Sequence, residues 1–159
     1  MNYNEEMNMN NVEFGNMPPQ AFLLGLLSAF DNRYQAAADA FFKEITWKQF
    51  FAIICINLCK EAPTINELSD VMGSSHQNVK QILLRLEKKG FISTVADQKD
   101  KRKQRIIVTD AARNFMDEND NNGQQSRYII GRIFDGIGEE NLMTTIQTIM
   151  KMERNLSEL

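Results

Sequence analysis

A single histidine, His76, stands in 159 residues, together with only two cysteines, three prolines and one tryptophan. That histidine lies at the start of a helix with no carboxylate or serine partner evident for it, which argues against a hydrolytic triad of the usual kind. A glycine-rich phosphate loop is missing, as is any C-x-x-C pair or any group of His, Cys and acidic residues at metal-ligand spacing. The chain is therefore expected not to be an enzyme, with no catalytic residue, no metal site and no cofactor. Runs of about 20 apolar residues, the length of a membrane span, are also lacking. Glu5 and Glu6 stand where a secretory leader would carry lysine or arginine. A cytoplasmic protein with no membrane partner is the expectation.

What is present begins at Thr64. Thr64-Ile65-Asn66-Glu67 opens a helix on a capping box, in which the Thr64 hydroxyl accepts from the Glu67 amide while the Glu67 carboxylate reaches back. Gly73 ends that helix, and Ser74 or Ser75 can cap a second one that runs to Gly90 behind Lys88 and Lys89. Val79, Ile82, Leu83 and Leu86 recur at spacings of three and four and form one buried stripe. Gln77, Gln81 and Lys88 fall opposite it, flanked by Lys80 and Arg85, with Leu84 near this outward face. Two strands follow, Phe91 to Ala96 and Gln104 to Thr109, joined by a charged tip, Asp97-Gln98-Lys99-Asp100-Lys101-Arg102-Lys103. Helix, tight turn, helix and basic hairpin, in that order, make a winged helix-turn-helix. The fold class is mainly α with a small β-hairpin wing.

Charge is polarised along the chain. From Ser75 to Arg105 nine basic side chains face three acidic ones, a net of +6, so with −3 overall the remainder carries −9. Such a molecule presents one cationic face to a polyanion and repels it elsewhere.

The rest of the chain is helical. Residues 1–17, rich in asparagine, are expected to be a flexible arm. Pro18-Pro19 starts a first helix whose apolar positions, Phe22 through Leu23, Leu26, Leu27, Phe30, Tyr34, Ala37, Ala38 and Phe41, keep helical spacing. A Thr46/Gln49 pair caps a second helix to Lys60 that is apolar nearly all round and expected to be buried centrally. Thr109 or Asp110 caps a fifth helix toward Ile130. Gly136 and Gly138 break the chain before a last helix carrying Leu142, Ile146, Ile149 and Leu156 on one stripe, with Met150 and Met152 beside it. Terminal helices with this much apolar surface in a small chain are best covered by a second copy, so a homodimer is expected. The organisation follows as a dimerisation helix over 18–45, a DNA-binding region over 46–109 and completing dimerisation helices over 110–159.

Residues 18–157 resemble the MarR family of transcriptional regulators. The wing signature of that family, D-x-R-D-x-R, is met by Asp97, Lys99, Asp100 and Arg102, with lysine in place of the first arginine. Leu86-Glu87-Lys88-Lys89-Gly90 matches the end of its recognition helix, Thr46 to Gln49 its T-x-x-Q helix start, and Val108-Thr109 its L-T. The glycine usual after that L-T is absent, with Ala112 near its place. The resemblance implies a small-molecule effector site where the first two helices meet, for which Phe42, Trp47 and Phe51 are the candidates. Ordinary core packing is the alternative for these aromatics.

The expected function is sequence-specific binding of double-stranded DNA by a homodimeric regulator of repressor type. Gln77 and Gln81 are placed to read adenine edges, and His76, Asn78 and Lys80 to add base or phosphate contacts. Ser75 is assigned to phosphate at the helix start, and Arg102 to the minor groove with its guanidinium held by Asp100. Two other readings stand beside this one. One is a winged-helix module whose basic face docks an acidic protein. The other is the same repressor switched by oxidation of Cys55 and Cys59, which share one helix face; buried packing suits them better, because side chains four apart on a helix are poorly aimed for a disulfide.

Overall fold

The computed structural model describes residues 17–40, 42, 44–121 and 130–159, without side chains at 119–121. The arm expected over 1–17 lies outside the described residues except for Met17, and Phe41 lies outside them too. Two compact units divide the chain, one up to Ala112 and one from Arg113 to Leu159.

The first unit starts with α1, Pro19–Asp39, entered through Pro18, whose carbonyl accepts from the Phe22 amide at 3.1 Å. Among the described residues of its apolar stripe only Ala38 is buried, and Phe30 is 50% exposed. The second helix, α2 (Trp47–Leu58), begins on the expected capping box: the Thr46 hydroxyl accepts from the Gln49 amide, and the Gln49 side chain accepts from the Thr46 amide, each at 3.3 Å. Its Ala52, Ile53, Cys55 and Ile56 form the centre of the core. The expectation of burial nearly all round fails at its end, where Leu58 is 74% exposed. The helix stops there, two residues short of Lys60, with its last two residues, Asn57 and Leu58, exposed.

Thr64 caps α3, Ile65–Met72, with Glu67 completing the box, and Leu68 is fully buried beneath. Gly73 adopts φ 58°, and the Gly73 and Ser74 amides close the helix on the Asp70 and Ser69 carbonyls. That left-handed residue turns the chain sharply into α4, His76–Lys88, which buries Val79, Ile82, Leu83 and Leu86 as the spacing predicts. Gly90, at φ 73°, ends α4 in the same manner, its amide bonding Glu87 and that of Phe91 bonding Leu86.

The wing is an antiparallel pair, β1 (Ile92–Ala96) and β2 (Gln104–Val108), in register from Ile92 opposite Val108 to Ala96 opposite Gln104. Each strand is one residue shorter at its base than the β-type content predicts. Phe91 commits its amide to closing α4, and the Thr109 hydroxyl accepts from the Ala112 amide at 3.3 Å, which caps α5, Asp110–Asn121. Ile92, Ile106 and Val108 face the core, and the Ile106 amide donates to the Pro63 carbonyl at 2.9 Å, tying β2 to the linker before α3.

In the second unit residues 130–133 are helical, Gly136 turns the chain at φ 75°, and α6 runs Glu139–Leu156. Glu139 and Glu140 at its start and Arg154 at its end complement the helix dipole. No residue of α6 is buried; Leu142, Ile149 and Met152 are half-buried and Met143, Ile146, Met150 and Leu156 exposed.

Candidate nucleic-acid interface

The start of α4 is organised by its own two serines. Ser75 is the N-cap, its hydroxyl accepting from the Asn78 amide at 3.3 Å, and the Asn78 side chain donates to the Ser74 hydroxyl at 2.8 Å. Ser75, His76, Gln77, Asn78, Lys80 and Gln81 are all exposed, because the four apolar residues between them hold the opposite face in the core. Leu84 is exposed as well. The helix thus presents amides, an imidazole and a cation in its first two turns, groups that can both donate to and accept from base edges.

At the wing tip Asp97 nucleates the turn: its Oδ1 accepts from the Lys99 and Asp100 amides, each at 2.8 Å. Asp100 in turn accepts from the Arg102 amide at 3.2 Å and from Arg102 Nε at 3.1 Å. The Arg102 side chain is 92% exposed while so held. Arg102, through its side chain first and its amide second, keeps the Asp100 carboxyl below its usual range. An exposed pair of this kind contributes little to stability, so its effect is to aim the guanidinium.

Two of the nine cations bond acceptors outside the 75–105 stretch that carries them. Arg105 donates from Nε to Asp97 Oδ2 at 2.6 Å and from Nη1 to Glu67 Oε2 at 2.9 Å and the Ala62 carbonyl at 3.0 Å. Its hydrogen bond, followed by the Asp100 and Lys99 amides, pulls the Asp97 carboxyl down to about 2. Glu67 is lowered as well, chiefly by the Thr64 amide. Lys89 Nζ donates to the Glu44 carbonyl at 2.5 Å. Sequence reasoning counted both residues in the cationic face and missed these bonds. A signal for the first existed, because Arg105 stands diagonally across the hairpin from Asp97, where opposite charges pair.

Residues 45–103, the segment holding α2 to α4, β1 and the wing tip, match the model of the MarR family. Over this segment the winged helix of the chain is similar to that of the MarR family. Solved structures agree over nearly the whole length. A MarR protein from Peptoclostridium difficile is 18% identical with a TM-score of 0.77, over 94% of this chain and 95% of that one. FabT of Streptococcus pneumoniae, solved in complex with DNA, is 19% identical with a TM-score of 0.59, over 86% of this chain and 96% of that one. The organohalide-sensing regulator RdhR, in its 2,4-dichlorophenol-bound form, is 17% identical with a TM-score of 0.73, over 92% and 86%. At such identities the likeness is one of fold.

Beside the winged helix lies a cleft of about 380 Å³, between Asp31 and Tyr34 of α1, Trp47 and Phe51 of α2, and Ser74 and Asn78 at the start of α4. Tyr34 meets Trp47 edge-on at 4.9 Å, and Trp47 stacks on Phe51 at 6.1 Å. Two of the three expected effector residues, Trp47 and Phe51, thus stand in its wall; the third, Phe42, packs on Phe50 at 4.7 Å. Both cysteines are free: Cys55 is buried, and burial, with Cys59 adding, pushes its thiol up, which disfavours the reactive thiolate. Among the described residues no cluster of His, Cys, Asp and Glu could hold a metal ion, and no helix is long and apolar enough to cross a membrane.

Proposed function

We propose that this chain is a transcriptional regulator that binds double-stranded DNA as a homodimer, with Gln77 and Gln81 reading the major groove and Arg102 entering the minor groove. The observation that carries this reading is the Asp100–Arg102 pair, in which a nearly fully exposed guanidinium is held in one orientation at the tip of a wing. A guanidinium gains most from the negative potential of a narrow groove when it enters preoriented. His76, Asn78 and Lys80 add base or phosphate contacts, and Ser75 places the amides of the helix start against a phosphate. Residues 46–109 are the DNA-reading part, and 18–45 with 110–159 hold two copies together through the apolar faces of α1 and α6. A two-fold axis sets the heads about one DNA turn apart, matching a pseudo-palindromic operator.

The cleft supports a reading in which repression is released by a small molecule. Ser74 and Asn78 belong both to its wall and to the bonds that start α4, so an occupant bears directly on the reading helix. An apolar compound with one polar group fits walls of Trp47, Phe51 and Tyr34 that carry Asp31 at the edge. It need only favour a dimer with differently spaced heads to release DNA.

The test is selection of an operator from a random duplex pool, followed by anisotropy titration of wild type and Arg102→Ala. The variant is expected to fold normally and to bind about tenfold or more weakly, with steep salt dependence in both. Equal affinity for selected and scrambled duplexes overturns the reading, and a basic face that docks an acidic protein then becomes the better account.

A further inference from the structure

We propose that Arg105 is a positioning residue that sets the aim of Arg102 by fastening the wing tip to α3, without touching DNA itself. The inference rests on the DNA-binding reading above and adds to it how the wing is held in register with the helix pair.

Four links run without a break from α3 to the tip. Glu67 Oε2 accepts from the Thr64 amide at 2.7 Å, closing the cap of α3, and the same oxygen accepts from Arg105 Nη1 at 2.9 Å. Arg105 Nε holds Asp97 Oδ2 at 2.6 Å. The other oxygen of Asp97 holds the Lys99 and Asp100 amides. Asp100 then holds Arg102 at both its amide and its Nε. Two backbone bonds, Asp97 amide to Lys103 carbonyl at 3.0 Å and Lys103 amide to Asp100 carbonyl at 2.8 Å, close the turn that these side chains shape.

The two arginines have opposite exposures, 23% for Arg105 against 92% for Arg102, although they stand three residues apart on one hairpin. This guanidinium commits its Nε and Nη1 to acceptors on three separate segments, Asp97, Glu67 and Ala62. Its rigid planar fork is what lets one side chain satisfy all three; the single ammonium of lysine cannot. The Asp100–Arg102 end of this chain of bonds is exposed and contributes little to folding stability, so its effect there falls on geometry.

Two measurements test it. In the protein without DNA, Arg105→Gln should speed amide hydrogen exchange at Lys99, Asp100 and Arg102 while leaving the α4 amides protected; unchanged exchange at the tip overturns the inference whatever the protein binds. On the selected operator, Arg105→Gln should weaken binding about tenfold, yet cost less than about twofold when Arg102 is already alanine, since the lost aim then has nothing to act on. Additive losses, with a salt slope shallower by about one, would mean that Arg105 meets a phosphate itself and would overturn the inference. Arg105→Lys, which keeps the charge and loses the fork, should resemble Arg105→Gln. If Arg105→Gln melts early, Asp97→Asn severs the same chain at its next link and should give the same pattern of exchange and coupling. Absence of any preferred duplex sinks the proposed function, and the exchange arm still decides the relay.

Discussion

The proposed homodimer is tested most directly by placing a charge on the exposed apolar face of α6. Ile146 is 40% exposed in the single chain and stands between Met143 and Met150, which are also exposed. Burying an isoleucine side chain completely contributes about 1.5–3 kcal/mol, so covering its remaining exposed part in a dimer contributes about 1 kcal/mol. Two-fold symmetry counts it twice, about 2 kcal/mol per dimer. In Ile146→Asp that gain is lost and a carboxylate is forced into an apolar contact on each side, adding a penalty of about 1–3 kcal/mol apiece. The dimer should weaken by roughly 4–8 kcal/mol, raising its Kd by about a thousandfold or more. Sedimentation equilibrium of wild type, Ile146→Asp and the control Thr148→Asp, on the opposite face of α6, reads this directly. Wild type and the control should sediment as dimers at micromolar concentration and Ile146→Asp as a monomer with intact helix content. A dimeric Ile146→Asp, or a monomeric wild type, would refute the assignment of this face to the second copy.

Two further outcomes concern the reading head. Gly90→Ala should destabilise the fold by about 1 kcal/mol in urea titration, because a Cβ there meets open space and the whole cost is that of a left-handed backbone at φ 73°. The Asp97 carboxyl carbon should titrate near 2 by NMR and move up toward 3.8 in Arg105→Gln. A carboxyl with a lowered folded value supports the native state fully above the ordinary carboxylate range and loses that contribution as pH falls toward 2, so the wing tip should loosen only in strong acid.

Features set by residues three or four apart were legible in the sequence. Both capping boxes, at Thr46 and Thr64, the left-handed stops at Gly73 and Gly90, and the stripe Val79, Ile82, Leu83 and Leu86 stand where spacing puts them, since each is decided by one turn of helix. The hold of Asp100 on Arg102 spans only two residues and was legible for the same reason. Arg105 was not, because two of its acceptors, Ala62 and Glu67, are 43 and 38 residues away and are brought near only when the linker before α3 pairs with β2. Lys89 finds Glu44 across 45 residues, again beyond any local pattern. Leu58 shows the limit from the other side: apolar character marks what a helix can bury, but where the core ends depends on how the next segment leaves it.

Thr109 carries a consequence for how α4 and α5 are joined. Its hydroxyl caps α5 and also donates to the Gly90 carbonyl at 2.7 Å, while its amide donates to the Phe91 carbonyl at 3.1 Å. One side chain therefore latches the first turn of the helix that leaves the head to the residue where the reading helix stops. A twist of that first turn cannot leave Gly90 behind, so the start of α5 and the stop of α4 are bound to move as one piece.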